Sequence, residues 1–281
     1  MKKPLFILIS CIGTAHAATP LSSSLHAGFI YDDNVTRAEN SSDIETDSFV
    51  RLGANTSTRL VVNDSSYFSL KGRLEINQYL DFSKLSNTRL GIEGGFHYRP
   101  STGYTAIRYL ALARIERRFF NSDLRDGSAA SIRLGLNKRL TDITSLRLGY
   151  NWQNISADNN VFDANNQRLY LDMDFRLIEK HTFYFTLSYT DGDIVSTTVP
   201  TPEIIDASKG RIVRDDAFPE LTPARFAYRL DATTIALKLG NSYAINSNQA
   251  LEGTVLYYNA GVDGNNDYTS LIYSVKYFYR F

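Results

Sequence analysis

Long segments of this chain alternate apolar and polar residues with a period of two. In Leu271–Phe281 every odd position is large and apolar, whereas the last even positions carry Ser, Lys and Arg with one Phe. In Phe68–Ile76 the apolar residues again share one parity, with Lys71, Arg73 and Glu75 on the other. Successive side chains of a β-strand point to opposite faces, so this period predicts strands with one apolar and one polar face. A helical period fits these segments poorly.

Segments of this kind recur at a steady spacing, and tight turns alternate with longer joins between them. We predict strands over 22–33, 47–61, 66–80, 87–99, 103–119, 128–140, 144–155, 166–178, 182–191, 224–243, 249–261 and 268–281. After the N-terminal segment no apolar stretch approaches the length of a membrane helix. The predicted fold class is therefore all-β: a transmembrane antiparallel up-and-down β-barrel of about 12 strands, with short turns at one end and long loops at the other.

The N-terminal segment has the features of a secretory signal peptide. It combines a positive start at Met1-Lys2-Lys3, a short apolar core and a small-residue cleavage site at Ala15-His16-Ala17. We therefore predict residues 1–17 as a signal peptide and residues 18–281 as an outer-membrane β-barrel, with a long extracellular loop at 191–223.

The aromatic residues of the last predicted strand resemble a targeting signal. Tyr273, Tyr277, Tyr279 and Phe281 alternate along the strand and end on Phe. This pattern resembles the closing strand of Gram-negative outer-membrane β-barrels, the segment that their insertion machinery reads. The resemblance implies a location in the outer membrane of a Gram-negative bacterium. It also implies outer-membrane lipids, lipopolysaccharide and the barrel-assembly machinery as partners.

The polar phase of the predicted strands is strongly basic. The chain has 30 Lys plus Arg and 30 Asp plus Glu, a formal net charge of zero. Cations nevertheless outnumber anions at the inward positions, so the charges are segregated. Basic rings lower the barrier for anions in a pore, and guanidinium groups suit carboxylates and phosphates. The predicted pore-lining cations are Arg51, Arg59, Lys71, Arg73, Arg89, Arg108, Arg114, Arg133, Arg147, Arg168 and Arg229.

These features predict a porin-like channel for passive diffusion of small or oligomeric anionic solutes. Twelve-stranded porins for acidic oligosaccharides are similar in strand number and in basic lining. The segment Gly28–Val35 also resembles the start of barrels linked to polysaccharide export.

Other functions remain open on the sequence alone. Arg, Glu and Asp side chains could neutralise one another in a packed polar core. The barrel would then be non-conducting and act as an adhesin, a structural anchor or an assembly partner. The excess of cations favours the channel, because a structural network would more often balance its charges.

Histidine and cysteine usage gives little support for an enzyme, and a lipid hydrolase is the least favoured function. After the signal peptide the histidines are His26, His97 and His181, all predicted toward the periplasmic side, and none begins the His-x-Ser pair of outer-membrane phospholipase A. The one cysteine, Cys11, lies within the predicted signal peptide. We expect no enzymatic activity, cofactor, metal site or nucleic-acid partner.

The predicted loop at 191–223 is by far the longest connection. Loops of this size are usually functional or disordered. If it folds inward as a constriction, its cations Lys209, Arg211 and Arg214 would meet the solute; a surface lid or a receptor epitope fits the sequence equally well. In the following strand the apolar phase changes near 232–234, which predicts a β-bulge there.

Overall fold

The computed structural model describes residues 21–262 and 267–281. The predicted signal peptide, residues 1–17, lies outside the described residues, as do residues 263–266 of the last predicted loop. The strands are β1 (Ser22–Asp32), β2 (Asp47–Asn63), β3 (Ser66–Tyr79), β4 (Asn87–Tyr98), β5 (Arg108–Phe120), β6 (Gly127–Arg139), β7 (Thr144–Ala157), β8 (Ala164–Ile178), β9 (His181–Thr198), β10 (Val213–Arg214), β11 (Phe226–Ala244), β12 (Gln249–Val262) and β13 (Tyr268–Arg280). One short helix, α1 (Pro202–Ala207), precedes β10.

Twelve of the strands in the described ranges close into one barrel. Each of β1 to β9 pairs antiparallel with its neighbour along the chain, and so do β11 to β13. β9 pairs with β11, and β13 pairs with β1, which closes the circle. β10 adds only two residues beside the upper part of β11. The predicted antiparallel up-and-down barrel is confirmed. No helix in the described part of the chain is long and apolar enough to cross a membrane.

The pleat of the strands separates an apolar outer surface from a polar inner one. On β3, Leu70, Leu74 and Ile76 are exposed on the outer face. Lys71 and Arg73 lie on the opposite, inner face of the same strand. Because the cross-strand registers run almost without shifts, this division continues from strand to strand around the barrel.

The two ends of the barrel carry different connections. The joins after β2, β6, β8 and β11 are tight, and those after β1, β3, β5, β7, β9 and β12 are longer. One predicted boundary differs: β5 begins at Arg108 rather than at 103. Residues before it form a turn in which the Arg99 guanidinium donates to the carbonyl oxygens of Thr102 and Gly103 at 2.8 and 2.7 Å. We call the two ends the short-turn end and the long-loop end.

The predicted β-bulge near 232–234 is wrong. β11 keeps an unbroken register with β9 from Phe226 to Tyr243 and with β12 from Ala232 to Ala244. The change of apolar phase has another cause. Tyr228 and Leu230 lie on the inner face and are buried against Ile204 of α1. They are apolar because the chain between β9 and β11 folds over them.

Candidate functional site: a cationic lumen under a lid

One side of the lumen, from β2 to β5, is lined by shared ion pairs. The Glu75 carboxylate lies 3.6 Å from Arg51 and 3.8 Å from Arg89. The Glu93 carboxylate lies 3.4 Å from Arg73 and 3.2 Å from Arg114. Each acid bridges two arginines of neighbouring strands, so these four cations are all ion-paired, although the two carboxylates offset only half of their charge.

The opposite side of the lumen carries cations that have no acidic partner. Arg133 of β6, Arg168 of β8 and Lys238 of β11 face inward, and the structure gives them no ion pair and no hydrogen bond to any described residue. The carboxylate of Asp172, which also faces inward, is bound by Arg147 at 2.9 Å. This side therefore presents to the lumen three cations that are not held in ion pairs.

A cavity of about 450 Å³ lies against these unpaired cations. Its lining is mostly polar on the side of β7 to β9, with apolar contributions from β5, β11 and β12. The lining residues are Leu110, Leu112, Arg133, Arg147, Asn151, Arg168, Tyr170, Asp172, Thr186, Ser188, Ala236, Lys238 and Leu256. Four cations and one carboxylate thus surround a single space.

Most of the pore-lining cations predicted from the sequence lie on the inner face. These are Arg51, Arg59, Lys71, Arg73, Arg89, Arg108, Arg114, Arg133, Arg147 and Arg168. Arg229 lies elsewhere: it is on the other face of β11 from Lys238, and its guanidinium donates to the carbonyl oxygen of Asp163 at 3.4 Å. The assignment of Arg229 to the lumen depended on the bulge, which is absent.

Sequence reasoning missed two inward cations. Arg118 faces Arg89 across β4 and β5, and its Nε lies 2.8 Å from the Glu116 carboxylate. It shares the parity of Arg114 and Glu116, so the alternation of β5 contained the signal. Lys238 lies on the face of β11 opposite the exposed Leu237 and Leu239, so the alternation of this strand contained the signal as well.

The segment 193–231 forms a lid across the long-loop end. It comprises the upper parts of β9 and β11, α1, β10 and the chain between them. β12 first pairs with β11 at Ala232, so the β9–β11 hairpin continues beyond the rim on that side. One face of the hairpin packs against the loop after β7, and the inner face, with Tyr228 and Leu230, packs against Ile204 of α1, so α1 lies on the lumen side of the hairpin.

Charged side chains fix the lid to the rim. The buried Asp215 carboxylate accepts hydrogen bonds from Arg125 at 2.5 Å and from the Thr197 hydroxyl at 2.7 Å. Asp216 accepts from Lys84 at 2.9 Å and from the Ser122 hydroxyl at 2.6 Å. Lys84 follows β3, whereas Ser122 and Arg125 follow β5, so the lid is tied to two separate loops.

Apolar contacts support the same attachment. The ring of Phe218 meets that of Phe82 edge-on at 4.6 Å between centroids and packs with Leu85 in the loop after β3. On the hairpin, Ala227 is buried against Val161 and Phe162 in the loop after β7. Apolar contacts do not depend on orientation, whereas hydrogen bonds and ion pairs do. The polar contacts therefore fix the position of the lid, and the apolar contacts stabilise it by burying surface.

The first long loop, residues 33–46, closes the mouth from the other side. Arg37 adopts a left-handed backbone (φ 55°), and its guanidinium binds both carboxylate oxygens of Asp32, at 2.8 and 2.6 Å. This clamp directs the loop toward the lid. The Ser196 hydroxyl then donates to the Arg37 carbonyl oxygen at 2.6 Å, and the Thr197 amide to that of Thr36 at 2.8 Å.

The three loop cations predicted to form a constriction lie on the lid with exposed side chains. The Lys209 ammonium pairs with Asp193 at 3.2 Å and with Asp231. The hydrogen bond that the Lys209 ammonium donates to Asp231 is the main cause of the raised pKa of Lys209. Arg211 and Arg214 are exposed, and the structure shows no ion pair for either among the described residues.

The histidines lie within the barrel wall or near its short-turn end. His97 Nε2 is 3.1 Å from the Ser69 hydroxyl oxygen, and the His97 ring stacks on Tyr67 with 4.3 Å between centroids. His181 Nδ1 is 3.1 Å from Asn241 Oδ1. No carboxylate is hydrogen-bonded to either imidazole among the described residues. In the same ranges, no cluster of three or more His, Cys, Asp or Glu could hold a metal ion.

Comparison with known proteins identifies the fold. No family model and no curated protein sequence matches the chain. Among solved structures, an outer membrane channel from Pseudomonas putida F1 is similar over 94% of this chain and 97% of that one, with a TM-score of 0.59 and 11% identity. The two chains share a barrel fold.

Two further solved structures are similar at lower scores. A KdgM porin in complex with disordered oligogalacturonate is similar over 91% of this chain and 98% of the porin chain, with a TM-score of 0.47 and 14% identity. The NanC porin covers the same shares, with a TM-score of 0.44 and 11% identity.

Proposed function

We propose that this protein is a channel in the outer membrane of a Gram-negative bacterium that admits small or oligomeric anionic solutes by passive diffusion. The observation that carries the proposal is the set of inward cations without acidic partners, Arg133, Arg168 and Lys238, around a lumen cavity. Positive charge fixed along a water-filled path lowers the energy of anions and raises that of cations. The outer surface of the barrel is apolar enough to face lipid.

The orientation follows from the connections. In barrels of this type the short turns face the periplasm and the longer loops face the outside. The lid would then cover the extracellular mouth, and the unpaired cations would lie below it. A solute would pass the lid before it meets the cationic wall, so movement of the lid controls entry.

The second candidate is a non-conducting barrel with a structural or assembly role. It is favoured by the paired wall of β2 to β5 and by the many contacts that hold the lid. Planar-bilayer recording separates the two functions. A purified barrel that gives no current above background, with and without its lid, would exclude the channel.

We predict that substituting Arg133, Arg168 and Lys238 by Gln will shift the selectivity of the channel toward cations. The wild type is expected to prefer anions, read as the sign of the reversal potential in a KCl gradient. A control variant, Arg117→Gln with Lys138→Gln and Lys180→Gln, removes the same charge from exposed positions outside the lumen and the lid. It is expected to stay close to the wild type. If the two triple variants shift equally, the three cations do not line the ion path.

Acidification is expected to loosen the lid in part through Asp216. Burial by itself raises the pKa of Asp216. The hydrogen bonds from Ser122 and Lys84 and the nearby positive charges have the larger, opposite effect, so the pKa of Asp216 lies below its ordinary value of 3.8. A carboxylate with a lowered pKa stabilises the folded form fully above its ordinary pKa, and the contribution is lost as pH falls through the lowered value. We expect open time to rise below about pH 4, by a small factor because Asp216 is partly exposed.

The check is the open time of wild type and Asp216→Asn at a series of pH values. The variant should already be looser at neutral pH and should show a weaker change on acidification. Parallel pH profiles for the two proteins would assign the effect to other carboxylates.

A further inference from the structure

The unpaired side of the lumen has the features of a binding site and not only those of a charged wall. Its cavity of about 450 Å³ falls in the ~300–1,000 Å³ range of small-molecule sites. Of its four cations, only Arg147 is engaged, by Asp172 at 2.9 Å. Three cations therefore remain free to bind an oxyanion, which guanidinium groups do in a bidentate geometry.

Tyrosine rings lie flat against the wall beside two of these cations. A Cβ atom at Gly149 would lie 2.3 Å from the Tyr170 side chain, so the ring occupies the space that a side chain would fill. Gly240 and Tyr184 repeat this arrangement, with a corresponding distance of 2.4 Å. In both pairs the glycine faces the tyrosine directly across neighbouring strands. Only glycine permits such a close approach.

A cation accompanies each flat ring. The Arg168 guanidinium lies 5.7 Å from the centroid of Tyr170, and the Lys238 ammonium lies 5.2 Å from that of Tyr184. These distances allow cation–π attraction, which holds the charged groups near the wall without neutralising them. Tyr170 also lines the cavity, so an aromatic surface and a free guanidinium border the same space.

The remaining polar lining suits hydroxyl groups. Asn151 provides an amide that both donates and accepts hydrogen bonds, and Thr186 and Ser188 provide hydroxyls. A ligand that satisfies the whole lining needs an oxyanion that binds the cations and a ring that packs on Tyr170. It also needs several hydroxyl groups that form hydrogen bonds with Asn151, Thr186 and Ser188.

We propose that this cavity is a saturable binding site for an oxyanion carried on a polyhydroxylated ring, that is, a sugar carboxylate or a sugar phosphate of one or two rings. The proposal rests on the channel function above, because it names the class of solute that would be retained in the lumen. The shared chemistry is the oxyanion together with the ring hydroxyls. Glucuronate and glucose 6-phosphate serve as probes of the two forms.

Calorimetric titration of the full chain in detergent micelles tests the site without requiring conduction. At least one probe is expected to bind saturably. Glucose, which lacks the oxyanion, and acetate, which lacks the hydroxylated ring, are expected to bind at least tenfold more weakly. Arg168→Gln and Lys238→Gln are each expected to weaken binding about tenfold, because each variant loses one charge-assisted contact with the ligand. A tenfold change in affinity corresponds to ~1.4 kcal/mol. Lys238→Arg should retain it.

Arg73→Gln is the matched control, because it removes an inward cation that is already paired with Glu93 at 3.4 Å. It is expected to change affinity less than twofold. Equal weakening by Arg73→Gln, or equal binding of glucose and glucuronate, would show general charge attraction and overturn the site. An absence of saturable binding for both probes would overturn it as well.

Bilayer recording keeps this outcome separate from the channel function. Anion current without saturable binding would overturn the site and leave the channel standing. Saturable binding that depends on Lys238, in a barrel that conducts nothing, would support the site and overturn the channel.

Discussion

Removing the lid is expected to raise the single-channel conductance several-fold. In the variant, an Asn-Gly turn replaces residues 193–231 and joins Gly192 to Ala232. These two residues face each other across β9 and β11, so a two-residue hairpin turn closes the strands without a change of register. The lid covers the mouth and contacts the loops after β1, β3, β5 and β7. Its removal leaves the cationic lumen open to solvent.

Conductance in planar bilayers measures this effect, with reversal potential as a second readout. Anion preference should persist, because Arg133, Arg168 and Lys238 lie outside the deleted segment. Heat-dependent mobility in gels provides a check that the barrel has formed. A folded variant with the conductance of the wild type would contradict the assignment of residues 193–231 as the barrier to entry.

The second large effect is expected at Asp215, whose carboxylate is fully buried. Asp215→Ala removes the partner of Arg125, the acceptor for the Thr197 hydroxyl and the acceptor for the Ala217 amide. Breaking a buried pair costs about 3–5 kcal/mol, because the remaining charge is left without a partner. The free energy that holds the lid closed should fall by that order, so the open form becomes at least a hundredfold more populated.

Hydrogen exchange of the backbone amides in the lid, followed by mass spectrometry in micelles, measures this change. The matched control is the adjacent Asp216→Ala, which removes a partly exposed pair with Lys84, and such pairs contribute about 0–1 kcal/mol. The lid should lose far more protection in Asp215→Ala than in Asp216→Ala. Equal losses would mean that burial of Asp215 is not what secures the lid.

Much of the fold was predictable because the alternation is a local signal. β2 begins at Asp47 and β12 at Gln249, where the sequence pattern places them. A two-residue period tells which side chains share a face, and the apolar face of a barrel in lipid points outward. The inward positions of Arg73 and Arg147 follow from the same rule, so most of the lumen was accessible from the sequence.

The errors occurred where distant segments meet. Tyr228 and Leu230 interrupt the phase of β11, and a local rule reads the interruption as a bulge. Their burial depends on Ile204, which reaches them only because the lid folds back. The same error placed Arg229 in the lumen. The predicted loop at 191–223 was also too wide, since β9 runs to Thr198 before the chain turns.

The two-residue period of the sequence also could not predict which cations form ion pairs. Alternation places Arg73, Glu93 and Arg114 on inner faces, but only the strand register brings the Glu93 carboxylate between the two guanidinium groups. The register likewise leaves Arg133 and Lys238 opposite residues that carry no acid. Whether a lumen cation is neutralised is therefore decided by neighbours that are distant in the chain.

By itself the sequence determined the all-β class, the number of barrel strands and which residues of each strand share a face, because each depends on residues two apart along one strand. The tertiary structure alone decided which inward cations are ion-paired, the cavity against Arg133, Arg168 and Lys238, and the lid above. The physical reason is that ion pairing and burial depend on distances across the barrel, and these are set by strand register and by the folding of long loops, which no local period encodes.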